Sequence, residues 1–209
     1  MSPLRLDHLV YAVPELGAGV DDLQKRLGVR ASPGGKHVGL GTHNALISLG
    51  EDQYLEVIAP DPEQPQPERP RPFGIDGLAA GRLAAWAAKE DDLDARVAAA
   101  RGAGYDPGMI LDLSREAPGG QRIEWRLTVS PTPAGDGLVP FLIDWGATPS
   151  PAQTAAKGCT LVGVRAEHPD LAAVRPPLAA LGAELPLTQA PAVSLIATLD
   201  TPLGRVELR

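Results

Sequence analysis

The chain has 209 residues, with a hydrophobic fraction of 44% and a charged fraction of 22%, the make-up of a soluble globular protein able to build one large domain or two small ones. Its formal net charge of −7 and pI near 5.1 come without any cluster of Lys and Arg, which excludes nucleic acid as a partner. No run is long and apolar enough to span a bilayer, and the first residues lack the apolar core of a signal peptide. Cys159 is the only cysteine, so no intrachain disulfide can form. A cytoplasmic location with Cys159 as a buried structural thiol is expected.

The chain opens on Leu6-Asp7-His8-Leu9-Val10-Tyr11-Ala12-Val13, a strand pattern with one histidine among apolar residues. Pro14 and Glu15 then start a helix in which Leu16, Val20, Leu23 and Leu27 form one apolar stripe, and Gly28 is placed to end it. Pro33-Gly34-Gly35 reads as a turn before a short strand, and Gly41-Thr42-His43-Asn44 as a second turn. Strands follow at Ala45–Leu49 and Gln53–Ala59.

From Pro60 to Pro72 inclusive the chain holds six prolines interleaved with Glu, Gln and Arg, the composition of a linker or irregular arm, with a lid over a pocket as the alternative. The same plan then restarts. A strand is expected from Arg82, acidic residues Glu90 to Asp92 cap a helix through Leu93, Val97 and Ala100, and strands are expected at Met109–Leu113, Arg122–Val129 and Leu138–Trp145. A third start comes at Thr160. Its helix carries Leu171, Val174, Leu178 and Leu181, and Pro176-Pro177 must distort or break it. The strand starts Leu6, Leu83 and Leu161 are about equally spaced, and Gly28, Gly104 and Gly182 follow them at a nearly constant distance. Such self-similarity is a fold-level signal, here of three βαβββ-type modules. The expected division is a first module over 1–60, a linker over 61–81, a second module over 82–150 and an appended third over 159–209.

These residues resemble the vicinal oxygen chelate superfamily and, within it, the glyoxalase-like proteins. The resemblance is carried by the opening strand, Leu27-Gly28-Val29, Gly41-Thr42-His43-Asn44-Ala45-Leu46, Tyr54-Leu55-Glu56-Val57-Ile58 and Pro140-Phe141-Leu142-Ile143-Asp144-Trp145-Gly146. It implies an α+β fold of paired βαβββ modules whose sheets curl into a cup, and members of this family swap modules across homodimers. It also implies a divalent ion, identity open, held by a His on a module's first strand and a carboxylate on its last. Those positions match His8 and Glu56, with Asp144 as a third ligand from the second module. The position matching His8 there is Ala84 or Ala85, so the expected second histidine is missing.

From the residues alone, His8 and Glu56 are polar side chains set in apolar strands, where burial is costly without a partner. A structural His–Glu pair satisfies that cost as well as a metal does. His43 is a candidate for acid/base work beside Glu56, against a plain turn histidine; His37 and His168 have no supporting context. Trp86, Trp125 and Trp145 are the only tryptophans and fall on predicted strands of the second module, as core or as an aromatic-walled pocket with Arg126 to pair an anionic ligand. There is no Gly-rich phosphate cradle, dinucleotide fingerprint or nucleophile elbow, so no nucleotide cofactor and no serine hydrolase is expected. Two functions stay open. One is a metal-assisted lyase, isomerase or dioxygenase acting on a small oxygen-bearing molecule. The other is a non-catalytic small-molecule binding module of the drug-sequestering type.

Overall fold

The computed structural model describes residues 4–116, 120 and 122–209; Met1-Ser2-Pro3, read from the sequence as leading directly into the first strand, lie outside them. The first module runs β1 (Arg5–Ala12), α1 (Leu16–Leu27), β2 (Ser32–His37), β3 (Thr42–Ser48) and β4 (Tyr54–Pro60). The second repeats it as β5 (Arg82–Lys89), α2 (Leu93–Gly102), β6 (Met109–Glu116), β7 (Arg122–Val129) and β8 (Phe141–Asp144). Together their strands close a barrel in the order β1-β4-β3-β2-β6-β7-β8-β5.

Alternation along each strand sorts side chains into two layers. Leu9, Tyr11 and Val13 join the outer core with Val20, Leu23 and Leu27 of α1, whereas Val10 and Ala12 face the lumen with Ile58. The helix ends where the sequence predicts. Gly28 adopts φ 73, and its N–H returns to the Gln24 carbonyl. A Cβ there would lie 2.9 Å from Leu203, so both the left-handed backbone and the close approach of the Pro202-Leu203 turn call for glycine.

The two expected turns in the first module are corrected by the structure. Pro33-Gly34-Gly35 lies within β2, where a pairing shift between Pro33 and Gly35 marks a bulge. Thr42, His43 and Asn44 lie in β3, paired with β2 and β4. Pro and Gly are tolerated because the bulge removes them from regular laddering, something local composition does not reveal.

The proline-rich arm runs over the barrel. Arg71 holds it through Asp76 and the Gly41 carbonyl, and its 3₁₀ segment Pro72–Gly77 inserts Ile75, 2% exposed, against the lumen residues Val10, Ala12 and Ile58. The segment after β8 likewise packs Ala152 and Ala155 against Leu46 and Tyr54.

The C-terminal module comprises β9 (Thr160–His168), α3 (Arg175–Leu181), β10 (Leu187–Gln189), β11 (Ser194–Thr201) and β12 (Gly204–Leu208). It forms its own sheet, β10-β9-β11-β12. Its pairing departs from the other two modules. β1 lies parallel to the last strand of its module, but β9 is flanked by β10 and β11. Pro176 and Pro177 stand in the first turn of α3, where the missing N–H groups are harmless, and the apolar stripe is split at Val174 into a 3₁₀ turn and a helix. Leu195, Ala197 and Leu199 share the outer core with Leu83 and Trp86, fastening this sheet to the barrel.

Candidate functional site

The barrel lumen holds a set of buried polar residues, Asp7, His8, His37, Asn44 and Glu56 from the first module and Arg115 from the second. His8 on β1 is brought to Glu56 on β4, with Nε2 3.8 Å from Oε2. Between Leu6 and His8 the pairing of β1 with β5 shifts, so Asp7 sits at a bulge. Asp7 is 1% exposed and serves both neighbours, Oδ1 standing 2.7 Å from His8 Nδ1 and Oδ2 accepting from Trp145 Nε1 at 3.0 Å. His8 thus lies between two carboxylates, with Nδ1 against Asp7 and Nε2 against Glu56. Tyr54 stacks on the same ring at 4.6 Å and Phe141 meets it edge-on at 5.5 Å.

Glu56 is held from the other side. Asn44 Nδ2 donates to its Oε1 at 2.5 Å, and His37 Nε2 lies 3.7 Å from the same oxygen. Asn44 Nδ2 also stands 3.3 Å from His37 Nε2, while His37 Nδ1 is 3.0 Å from Thr42 Oγ1. An amide N–H donating to Nε2 leaves the imidazole proton on Nδ1, the neutral form. Among the described residues Asn44 Oδ1 is buried with no partner, and Gly34 makes room for it: a Cβ at Gly34 would come within 2.0 Å. Arg115 of β6 reaches this region and donates from Nη1 to the Gly34 carbonyl.

Burial sets the protonation pattern. It lowers the His37 pKa below its usual 6.5, with the Glu56 charge opposing and Arg115 reinforcing the shift. Burial, aided by Asp7 and Glu56, raises the Tyr54 phenol well above 10.0, keeping it a neutral donor. The His37 shift has a stability consequence. Unfolded His37 binds a proton more readily than folded His37, so unfolding is favoured as pH falls below about 6.5. Urea denaturation between pH 8 and 5 should show that loss, and His37→Gln should flatten it. An unchanged slope in the variant would refute the assignment.

The other sequence candidates fall elsewhere. His43 pairs with Lys36 on the outer face of the sheet, 3.9 Å from Asp61. Asp144 pairs with Arg126 across β7 and β8, facing away from the lumen residue Ile143, and its Oδ1 accepts from the Gly146 N–H. Arg126 is bonded to Asp94 on that outer face. Trp86 lies in the outer core and donates to the Leu138 carbonyl. Trp125 and Trp145 do line the lumen, 5.5 Å apart. Asp7, His37, Asn44 and Arg115 were missed. Only Asp7, a polar residue beside His8 in an apolar strand, carried a local signal; the others depend on the bulge in β2 and on pairing between modules.

The barrel register also locates the second half of the cup. Val10 pairs with Glu56 across β1 and β4, and Ala87 pairs with Phe141 across β5 and β8. With Leu6 and Leu83 in equivalent places, Ala85 stands at the position of His8 and Phe141 at that of Glu56. Both are apolar. Among the described residues no group of three or more His, Cys, Asp or Glu is arranged to hold a metal ion. His8 and Glu56 thus form half of a divalent site whose other half is hydrocarbon, and a four-ligand ion does not fit this donor set.

The sequence profile described as "Glyoxalase-like domain" matches residues 6–182. The chain belongs to the glyoxalase-like domain family. No curated protein matches this glyoxalase-like chain in sequence. Among solved structures, a hypothetical protein from Staphylococcus aureus superposes with TM-score 0.67 at 13% identity, covering 91% of this chain and 88% of the other, which shows a shared fold. A methylmalonyl-CoA epimerase in complex with methylmalonyl-CoA and NH4+ matches with TM-score 0.46 at 22% identity, over 72% of this chain and 100% of that one. The methylmalonyl-CoA epimerase of Mycobacterium tuberculosis matches with TM-score 0.43 at 20% identity, over 66% and 86%. No helix of the glyoxalase-like chain, among the described residues, is long and apolar enough to cross a membrane.

Proposed function

We propose that this glyoxalase-like protein catalyses proton transfer on a small oxygen-bearing molecule held in the barrel lumen, as an isomerase or lyase. The observation that carries the reading is the Glu56 carboxylate, fixed by Asn44 on one oxygen and facing His8 Nε2 at 3.8 Å with the other. A carboxylate so positioned serves as a general base, contributing about 10²–10⁴-fold in rate. Asp7 holds His8 so that Nε2 can take up the proton from Glu56 and return it. Leu113, Ile123 and Leu127 face the lumen yet are only partly buried, which suits entry of a ligand on the β6–β7 side. The divalent ion of the family resemblance would have His8 and Glu56 as ligands and nothing comparable at Ala85 or Phe141, so no step is routed through it.

The second reading, a non-catalytic binding module, draws on the aromatic walls formed by Trp125, Trp145 and Phe141. The test is to follow loss of the α-proton signal of small 2-oxo acids and β-dicarbonyl compounds by NMR in D2O. Catalysed exchange is expected for at least one compound, falling about tenfold or more in His8→Asn. Compounds that quench the tryptophan fluorescence but never exchange would favour the binding module. A near-stoichiometric divalent metal in the purified protein, lost in His8→Ala and Glu56→Ala, would replace the metal-free scheme.

A further inference from the structure

Arg115 is 6% exposed on the lumen side of β6, where it pairs across to Ile123 of β7. A guanidinium carries five N–H donors and does not lose its charge in proteins. Among the described residues, the hydrogen bond that Arg115 makes is the one from Nη1 to the Gly34 carbonyl, and it has no ion pair with a carboxylate. No Arg115 nitrogen is among the buried atoms without a partner, so its remaining N–H groups reach solvent, where a ligand oxygen can replace water. Burial lowers the Arg115 pKa from its usual range, with Tyr54 and Glu56 opposing, and the Arg115 charge adds to the lowering of His37. Two carboxylates share the lumen with it, and Asp7 is already committed to His8 and Trp145.

The charge balance follows from that arrangement. When Glu56 takes a proton it becomes neutral, and the negative charge moves to the ligand. The resemblance would meet such charge with a metal ion ligated from both modules, but here the second half is Ala85 and Phe141. The cation remaining in the lumen is on β6 instead.

We infer that Arg115 is the electrophile of this site, donating to the oxyanion that forms when Glu56 deprotonates a carbonyl compound at the carbon next to C=O. This rests on the proposed reading of the lumen as a proton-transfer site. In the step, the C–H bond breaks and its proton goes to Glu56. The electron pair becomes the C=C bond, the C=O π pair moves to oxygen, and that oxygen accepts from Arg115. Returning the proton to the same or a neighbouring carbon completes an isomerisation without oxidant, reductant or added co-reactant. The substrate class is therefore a small carbonyl compound with an acidic α-hydrogen.

A nitroalkane and its nitronate differ as the carbonyl compound and its enolate do, by one proton and one negative charge on oxygen. Binding of 2-nitropropane and of its preformed nitronate is measured by NMR titration on the parent protein, Arg115→Met, Arg115→Lys and Glu56→Gln. The parent should prefer the nitronate by about 10–100-fold, the range for hydrogen bonds to a charged group. Arg115→Met should lose that preference, its affinity for the nitronate falling to about that for the neutral nitroalkane. Arg115→Lys, which keeps the charge without the fork, should retain part of it and stands in if the Met variant does not fold. Glu56→Gln should keep or strengthen nitronate binding. A preference that survives intact in Arg115→Met and Arg115→Lys, or none in a parent that binds both forms, overturns the role of Arg115 alone. A parent that binds neither form overturns it together with the lumen reading.

Discussion

Glu56→Gln should abolish most of the proton exchange, by about 10²–10⁴-fold, while leaving the fold in place. The substituted amide keeps every neighbour satisfied. Its carbonyl can accept from Asn44 Nδ2 as Glu56 Oε1 does, and its N–H₂ can donate to His8 Nε2, which now lies 3.8 Å from Glu56 Oε2. Only the capacity to accept a proton is lost. Glu56→Ala separates the chemical role from the structural one, because it leaves the Asn44 amide and both imidazoles facing an empty space. Unpairing such buried groups costs about 1–3 kcal/mol. The two variants should therefore be alike in exchange rate and unlike in urea midpoint. Exchange at the parent rate in Glu56→Gln would remove Glu56 as the base.

Leu9→Ala should unfold the protein far more readily without touching the lumen. Leu9 is 0% exposed and lies on the outer face of β1, in one cluster with Tyr11 and Leu23. β1 is central to the barrel, parallel to β4 on one side and antiparallel to β5 on the other, so it joins the two modules. A cavity here cannot be filled from a loop, and leucine truncations of this kind cost about 2–5 kcal/mol. Thermal denaturation should register the loss as a lower Tm, with ligand affinity of the remaining folded protein unchanged. A Tm within a degree or two of the parent would show that the β1–α1 layer can collapse onto the gap.

The contrast between these two substitutions reflects how much of the molecule is local. Leu9 and His8 are neighbours, and strand alternation alone sends one to the helix layer and the other to the lumen. That parity is readable wherever a strand is regular, so His8 and Glu56 stand out as polar residues in apolar strands before any coordinates, while their pairing as a site is what the resemblance implies. The parity fails at bulges. The bulge at Asp7 puts two consecutive polar residues beside one another in the lumen, and the shift between Pro33 and Gly35 precedes His37, which reaches the site. His43 lies on the other face for the opposite reason. It looked suitable beside Gly41-Thr42, but regular alternation in β3 sends Asn44 inward and His43 out.

The sequence by itself determined the modular plan. The apolar stripe of α1, the capping glycines Gly28 and Gly182, and the recurrence of strand starts at Leu6, Leu83 and Leu161 are all properties of near neighbours along the chain. It also determined that the second module lacks the histidine of the first. What only the tertiary structure decided is which side chains share the lumen. Closing the barrel sets β2 against β6 and β5 against β8, and that register brings Arg115 to the site and leaves Phe141 in the place corresponding to Glu56. The same closure leaves Asp144 and Arg126 outside. Pairing between distant strands depends on the summed packing of the whole sheet, and no window of sequence contains that sum.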